Sequence, residues 1–213
     1  MTIVFFGDSI CFGEKVNPHK TWIARLSAEF EKRFDNDLLV INASINGNTT
    51  RLALERMPSD VQKYNPQLLF IQFGMNDCNF WQTDQGLPRV SPKAFLANLN
   101  EITDRGLNFG AQHIFVQTNH PTLRTTPFEY ANKSYEESNA HYNEIIRAFA
   151  DMRTEVRLID MAEAWSEQLQ KGTMLSDLLL DDELHLSIQG HKLYLEETLP
   201  ILFEVIADLQ FTE

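Results

Sequence analysis

Five short runs rich in Val, Ile, Leu and Phe, separated by longer stretches of helical spacing, constrain this chain more than any other feature. The runs cover residues 2–6, 38–42, 68–73, 113–118 and 156–159. They show little polar alternation, which is the pattern of strands buried on both faces. Between them, apolar residues recur three and four apart. Trp22, Ile23, Leu26, Phe30 and Phe34 form one such stripe, and Phe95, Leu96, Leu99, Ile102 and Leu107 another, introduced by Ser91-Pro92 as N-cap and first-turn residue. Further helices are expected over 135–152 and from about 188 to 209. Strands alternating with helices imply a parallel sheet covered on both sides and joined by right-handed crossovers. In such sheets ligands bind outside the carboxyl ends of the strands.

No repeat, linker or low-complexity tract interrupts the pattern, so the chain reads as a single domain over 1–213. Its formal net charge is -12. That charge disfavours phosphate backbones and anionic lipid heads, so neither nucleic acid nor a membrane is an expected partner. No apolar run reaches the length of a membrane span. The first residues lack the basic and apolar regions of a secretory signal, which makes the cytoplasm the expected location. Two cysteines, Cys11 and Cys78, are too few for a disulfide scaffold or a four-thiolate zinc site, and both read as small buried hydrophobes. Oligomeric state is not legible.

The polar, glycine-containing motifs all lie at strand ends or before the last helix. Gly7-Asp8-Ser9-Ile10 follows the first strand and places a serine on a tight strand-to-helix turn. Taken alone, this is also ordinary helix capping. Asp182-Glu183-Leu184-His185 precedes the last helix. A serine hydroxyl needs a base, and histidine titrates in the right range. A carboxylate three residues earlier can curl back onto Nδ1 and leave Nε2 for the serine. The plainer alternative is a solvated acidic loop. Ser44-Ile45-Asn46-Gly47-Asn48 and Gly74-Met75-Asn76-Asp77 follow the second and third strands. Each could be a simple turn, yet each offers a backbone or amide donor of the kind acyl transfer requires.

Together, the order Ser9, Gly47, Asn76, His185 within these motifs resembles the SGNH/GDSL hydrolase family, from residue 7 to residue 185. The resemblance implies a flavodoxin-like three-layer α/β/α fold with a central five-stranded parallel sheet, and neither metal nor organic cofactor. It assigns Ser9 as nucleophile, His185 as base, Asp182 as its orienting carboxylate, and Ser9 N–H, Gly47 N–H and the Asn76 amide as oxyanion donors. Isoleucine at position 10 stands where the family has leucine, a conservative apolar change.

The expected partner is therefore a small-molecule ester. The long loops 78–90 and 119–133 supply candidate substrate contacts: Phe80 and Trp81 for a sugar ring or acyl chain, Arg124 for a substrate carboxylate, and His120 at the pocket rim. His191 is expected to pack, and His19 and His113 to be surface or core residues. The stretch from Phe12 to Trp22 is similar to family members associated with bacterial glycan modification. With the polar segment 82–86, this favours a short acyl group such as O-acetyl on a carbohydrate. The alternatives are a thioesterase or lysophospholipase using the same triad, a non-catalytic flavodoxin-like ligand-binding module, and a binding protein that has lost catalysis.

Overall fold

In the computed structural model, residues 1–34 and 38–210 are described; residues 35–37 and 211–213 of the expected domain 1–213 lie outside them. In chain order the elements are β1 (Thr2–Gly7), α1 (Ser9–Phe12), α2 (Trp22–Phe34), β2 (Leu39–Asn42), α3 (Thr50–Asp60), β3 (Leu68–Gln72), α4 (Pro92–Asn108), β4 (His113–Gln117), α5 (Tyr135–Met152), β5 (Val156–Ile159), α6 (Met161–Gln170), α7 (Leu175–Leu178) and α8 (Ile188–Gln210). The five strands are all parallel, in the order β2-β1-β3-β4-β5. That is the flavodoxin-like order, with its switch point between β1 and β3. Helices α2 and α8 pack on each other, and α4 packs on both α3 and α5, giving a layer on each side of the sheet.

The register explains the density of phenylalanine in the strands. Phe5 pairs with Phe70 and Phe70 with Phe115, placing one ring on each of three neighbouring strands. Phe5 and Phe70 lie 5.0 Å apart by ring centroid, and Trp22 of α2 meets Phe5 edge-on at 5.5 Å. The Trp22 indole N–H donates to the Ile10 carbonyl at 3.1 Å, and its backbone N–H donates to His191 Nδ1 at 3.2 Å. One core residue thus ties α1, α2 and α8 together beneath the loop that carries Ser9.

Local signals behave as their chemistry requires. Ser91 accepts from Ala94 N–H with Pro92 in the first turn of α4. Ser134 and Glu137 form a reciprocal capping box at α5. Three helices were not expected: α3, α6 and the single-turn α7. Helix α3 carries an internal proline, Pro58, which reads as a breaker but sits in its last turn. Helix α6 is short and begins directly after β5, capped by Asp160. The expectation of strands buried on both faces holds for β1, β3 and β4, whereas β2 and β5 are edge strands, with Leu39 half exposed and Arg157 exposed. Among the described residues, no helix is long and apolar enough to cross a membrane.

Candidate active site

The switch point brings the ends of β1 and β3 side by side, and the polar motifs converge there. Gly7 is required by close approach, because a Cβ would lie 2.9 Å from both Cys11 and the Gln72 carbonyl. The chain then turns sharply, and the buried Asp8 caps α1 by accepting from Ile10 N–H at 3.0 Å. This leaves Ser9 as the first residue of α1, with 6% of its surface exposed.

Ser9 Oγ lies 2.9 Å from His185 Nε2. His185 Nδ1 lies 2.7 Å from Asp182 Oδ2. The other Asp182 oxygen accepts the backbone N–H groups of Leu184 at 3.2 Å and His185 at 2.9 Å, so the carboxylate folds back over its own turn. With Asp182 ionised, Nδ1 carries the proton and donates, which leaves the Nε2 lone pair facing the serine hydroxyl. Burial alone would raise the Asp182 carboxyl. The bonds from Lys15, the His185 backbone N–H and the His185 ring outweigh it and hold the group well below the usual carboxylate range. The segment is fixed from outside as well. Leu180 N–H donates to the His185 carbonyl at 2.7 Å, and Arg124 donates to the Asp182 carbonyl through Nε at 3.1 Å and Nη2 at 2.9 Å.

Opposite this chain stand Gly47 and Asn76. Gly47 occupies a left-handed turn (φ +75°) with open space around its Cα, so conformation rather than crowding selects glycine there. Asn76 Nδ2 donates to Asp8 Oδ2 at 3.3 Å, which uses one of its two N–H groups. Among the described residues, no acceptor bonds to the backbone N–H of Ser9 or Gly47. These groups surround a cleft of about 220 Å³ whose wall also includes Glu14, Asn46, Asn79 and Arg124. Met75, Tyr135 and Leu184 line it too, so the arrangement can deprotonate a serine and offer N–H donors to a developing oxyanion in one small cleft of mixed polarity.

The other expected contacts divide. Arg124 lines the cleft, although two of its donors serve Asp182. Trp81 is 52% exposed, with the Arg89 guanidinium 4.4 Å above its ring. Phe80 is buried against Phe128 and packs its loop. His120 does not reach the rim. It is fully buried, with Nδ1 2.7 Å from the Tyr194 hydroxyl, Nε2 2.8 Å from the Leu184 carbonyl, and its ring stacked on Trp165. Desolvation, against the opposing Leu184 bond, pushes its titration down to about 3. It is a neutral strut beneath the His185 segment, because a polar ring in an apolar core must spend both nitrogens on partners. Cys11 and Cys78 are buried thiols, and His191 is buried under Trp22.

Three sets of contacts around the site were not legible in the chain. Lys15 Nζ bonds Asp182 Oδ2 at 2.6 Å from a residue with φ +64°. Asn46 donates to Glu14 across the cleft wall. Arg89 reaches Asn76 and Gly47 from the far end of the 78–90 loop.

The class this architecture defines is matched by sequence comparison. Residues 5–193 match the model of the GDSL-like Lipase/Acylhydrolase family, and the chain belongs to that family. It is 29% identical to an arylesterase of Vibrio mimicus over 119 residues, 56% of this chain and 55% of the relative. It is 24% identical to thioesterase 1/protease 1/lysophospholipase L1 of Escherichia coli K12 over 148 residues, 70% of this chain and 62% of the relative. The chain therefore spans less than two thirds of the length of either relative. The crystal structure of Axe2, an acetylxylan esterase from Geobacillus stearothermophilus, superposes with a TM-score of 0.74 at 21% identity, covering 93% of this chain and 92% of that one.

Proposed function

We propose that this chain, acting as a single catalytic domain, hydrolyses small carboxylic esters through an acyl-enzyme on Ser9, with short acyl groups such as O-acetyl on a carbohydrate as substrates. The observation that carries this reading is the continuous Ser9–His185–Asp182 hydrogen-bond chain opening onto a cleft of about 220 Å³. Pockets for drug-sized ligands run from about 300 to 1,000 Å³. A cleft below that range suits an acetyl group at the reacting centre, with the alcohol extending outward.

In the first half-reaction, the Ser9 hydroxyl gives its proton to His185 Nε2 as Oγ attacks the ester carbonyl. The tetrahedral oxyanion is held by Ser9 N–H, Gly47 N–H and the second Asn76 Nδ2 proton. His185 returns its proton to the departing alcohol as the C–O bond breaks, leaving acyl-Ser9. Water then gives a proton to His185 and attacks the acyl carbon, and the acid leaves as Ser9 is reprotonated. Asp182 stays ionised throughout and stabilises the imidazolium. Support comes from family membership, the arylesterase relative and the acetylxylan esterase neighbour.

The test compares hydrolysis of acetylated sugars and of acetyl, octanoyl and palmitoyl esters, with Ser9→Ala as the blank. Short acyl groups are expected to turn over fastest, and Ser9→Ala is expected to stay folded and inactive. Full turnover in that variant would overturn the nucleophile. A preference for palmitoyl would overturn the short-acyl reading and favour a thioesterase or lysophospholipase.

A further inference from the structure

Arg89 occupies an unusual place among the charged residues near the cleft. The loop leaving Asn76 runs outward and returns, closed by an Arg89 N–H bond to the Asn79 carbonyl at 2.9 Å and a Val90 N–H bond to the Asp77 carbonyl at 3.1 Å. The return delivers one guanidinium to two separate segments. Nη1 donates to Asn76 Oδ1 at 3.2 Å and Nη2 donates to the Gly47 carbonyl at 3.2 Å. The Trp81 indole lies beneath it, with the guanidinium carbon 4.4 Å from the ring centroid.

We infer that Arg89 is a positioning residue that sets the oxyanion donors of Asn76 and Gly47, with Trp81 as its brace. The inference rests on the assignment of those two residues to oxyanion binding under Proposed function.

A side-chain amide can rotate about its last bond and present either end to the cleft. Arg89 removes that freedom, because only Oδ1 can accept from a guanidinium and only Nδ2 can donate to Asp8. Cation at one end and carboxyl oxygen at the other select the same orientation, leaving one N–H for substrate. Bonds at both ends also polarise the amide, which strengthens the remaining donor. Gly47 needs an anchor for a different reason. Nothing lies within 4 Å of the place its Cβ would occupy, so packing does not fix that turn. The neighbours of Gly47 are tied by the Asn48 N–H bond to Ile45, the Asn46 bond to Glu14 and the Arg56 bond to Asn48, and the Arg89 bond holds the Gly47 carbonyl itself. A planar fork can span both oxygens at once, and stacking on an indole keeps that fork from swinging out.

The test is steady-state kinetics of Arg89→Met, Arg89→Lys, Asn76→Ala and the Asn76→Ala/Arg89→Met double variant on an activated acetate ester, with thermal melts of each. Arg89→Met is expected to lower kcat by about 10- to 100-fold with KM within about 3-fold. That is somewhat below the roughly 100- to 1,000-fold cost of deleting a donor outright. Arg89→Lys is expected to recover only part of kcat, since an ammonium reaches one oxygen but cannot bridge two. The double variant is expected to lose less than the product of the single losses, because the two residues act through the same donor. Wild-type kcat in Arg89→Met, or in Arg89→Lys should the methionine variant fail to fold, overturns the inference while Asn76→Ala is impaired. Unimpaired Asn76→Ala instead overturns the oxyanion assignment, and the inference falls with it.

Discussion

Asp8 makes a stability measurement the sharpest probe of how this site is built. Its side chain is fully buried, and burial, reinforced by the nearby Asp77 charge, outweighs the Ile10 N–H bond and raises the carboxyl from its ordinary 3.8 to about 7. The folded state thus holds a proton that the unfolded chain releases between about pH 4 and pH 7. Over that window the native form binds more protons, so this group's contribution to stability falls as pH rises, and the full cost is present above pH 7. A shift of about three units at ~1.4 kcal/mol each corresponds to roughly 4 kcal/mol. Asp8→Asn removes the charge and keeps the shape and the Ile10 acceptor. It also sets an amide against the Asn76 N–H, at a cost of about 1 kcal/mol. The variant should therefore be about 1 kcal/mol less stable than wild type near pH 4, and roughly 3 kcal/mol more stable at pH 8. For a chain of this size the latter means Tm higher by about 6–12 °C. Urea and thermal melts of both proteins from pH 4 to 9 check the crossover. Parallel curves, with a difference independent of pH, would refute the assignment of a buried, late-titrating carboxyl.

Lys15→Met deletes a bond that lowers the Asp182 carboxyl. Asp182 then protonates at higher pH than in wild type, so the variant's activity relative to wild type should fall progressively toward the acid end of a pH–rate profile and be least affected at pH 8. His120→Phe leaves the Tyr194 hydroxyl and the Leu184 carbonyl without their partner. It should cost about 2–4 kcal/mol in a denaturant melt at pH 8. The difference should shrink as pH drops below about 6.5, where the unfolded wild-type histidine takes up a proton that the buried ring refuses.

The sheet was legible because its evidence is local: runs of β-branched and aromatic residues need no partner to be recognised. The limits of β5 and α5 fall where the chain pattern put them, since each has abrupt polar or capping residues at its ends. Helix α3 escaped because a proline in its last turn looks like a terminator and several of its outward positions are charged. For the site, Ser9, Gly47, Asn76, Asp182 and His185 sit in motifs whose backbone geometry is dictated within a few residues. Arg89 and Lys15 carry no such mark; each meets its partner through loop folding, 13 and 167 residues apart. His120 was misread because position after a strand tells that a residue is near the functional edge, but not whether its side chain turns outward or into the core.

The hydrogen bond between Ser9 and His185 joins residues 176 positions apart. A ribosome delivers the first of them 176 residues before the second. Until the segment before α8 has emerged and docked, the hydroxyl has no acceptor and remains an ordinary serine. On the proposed mechanism, the reactivity of Ser9 is thus timed by synthesis itself: the hydroxyl stays idle until the segment carrying His185 has been made and docked.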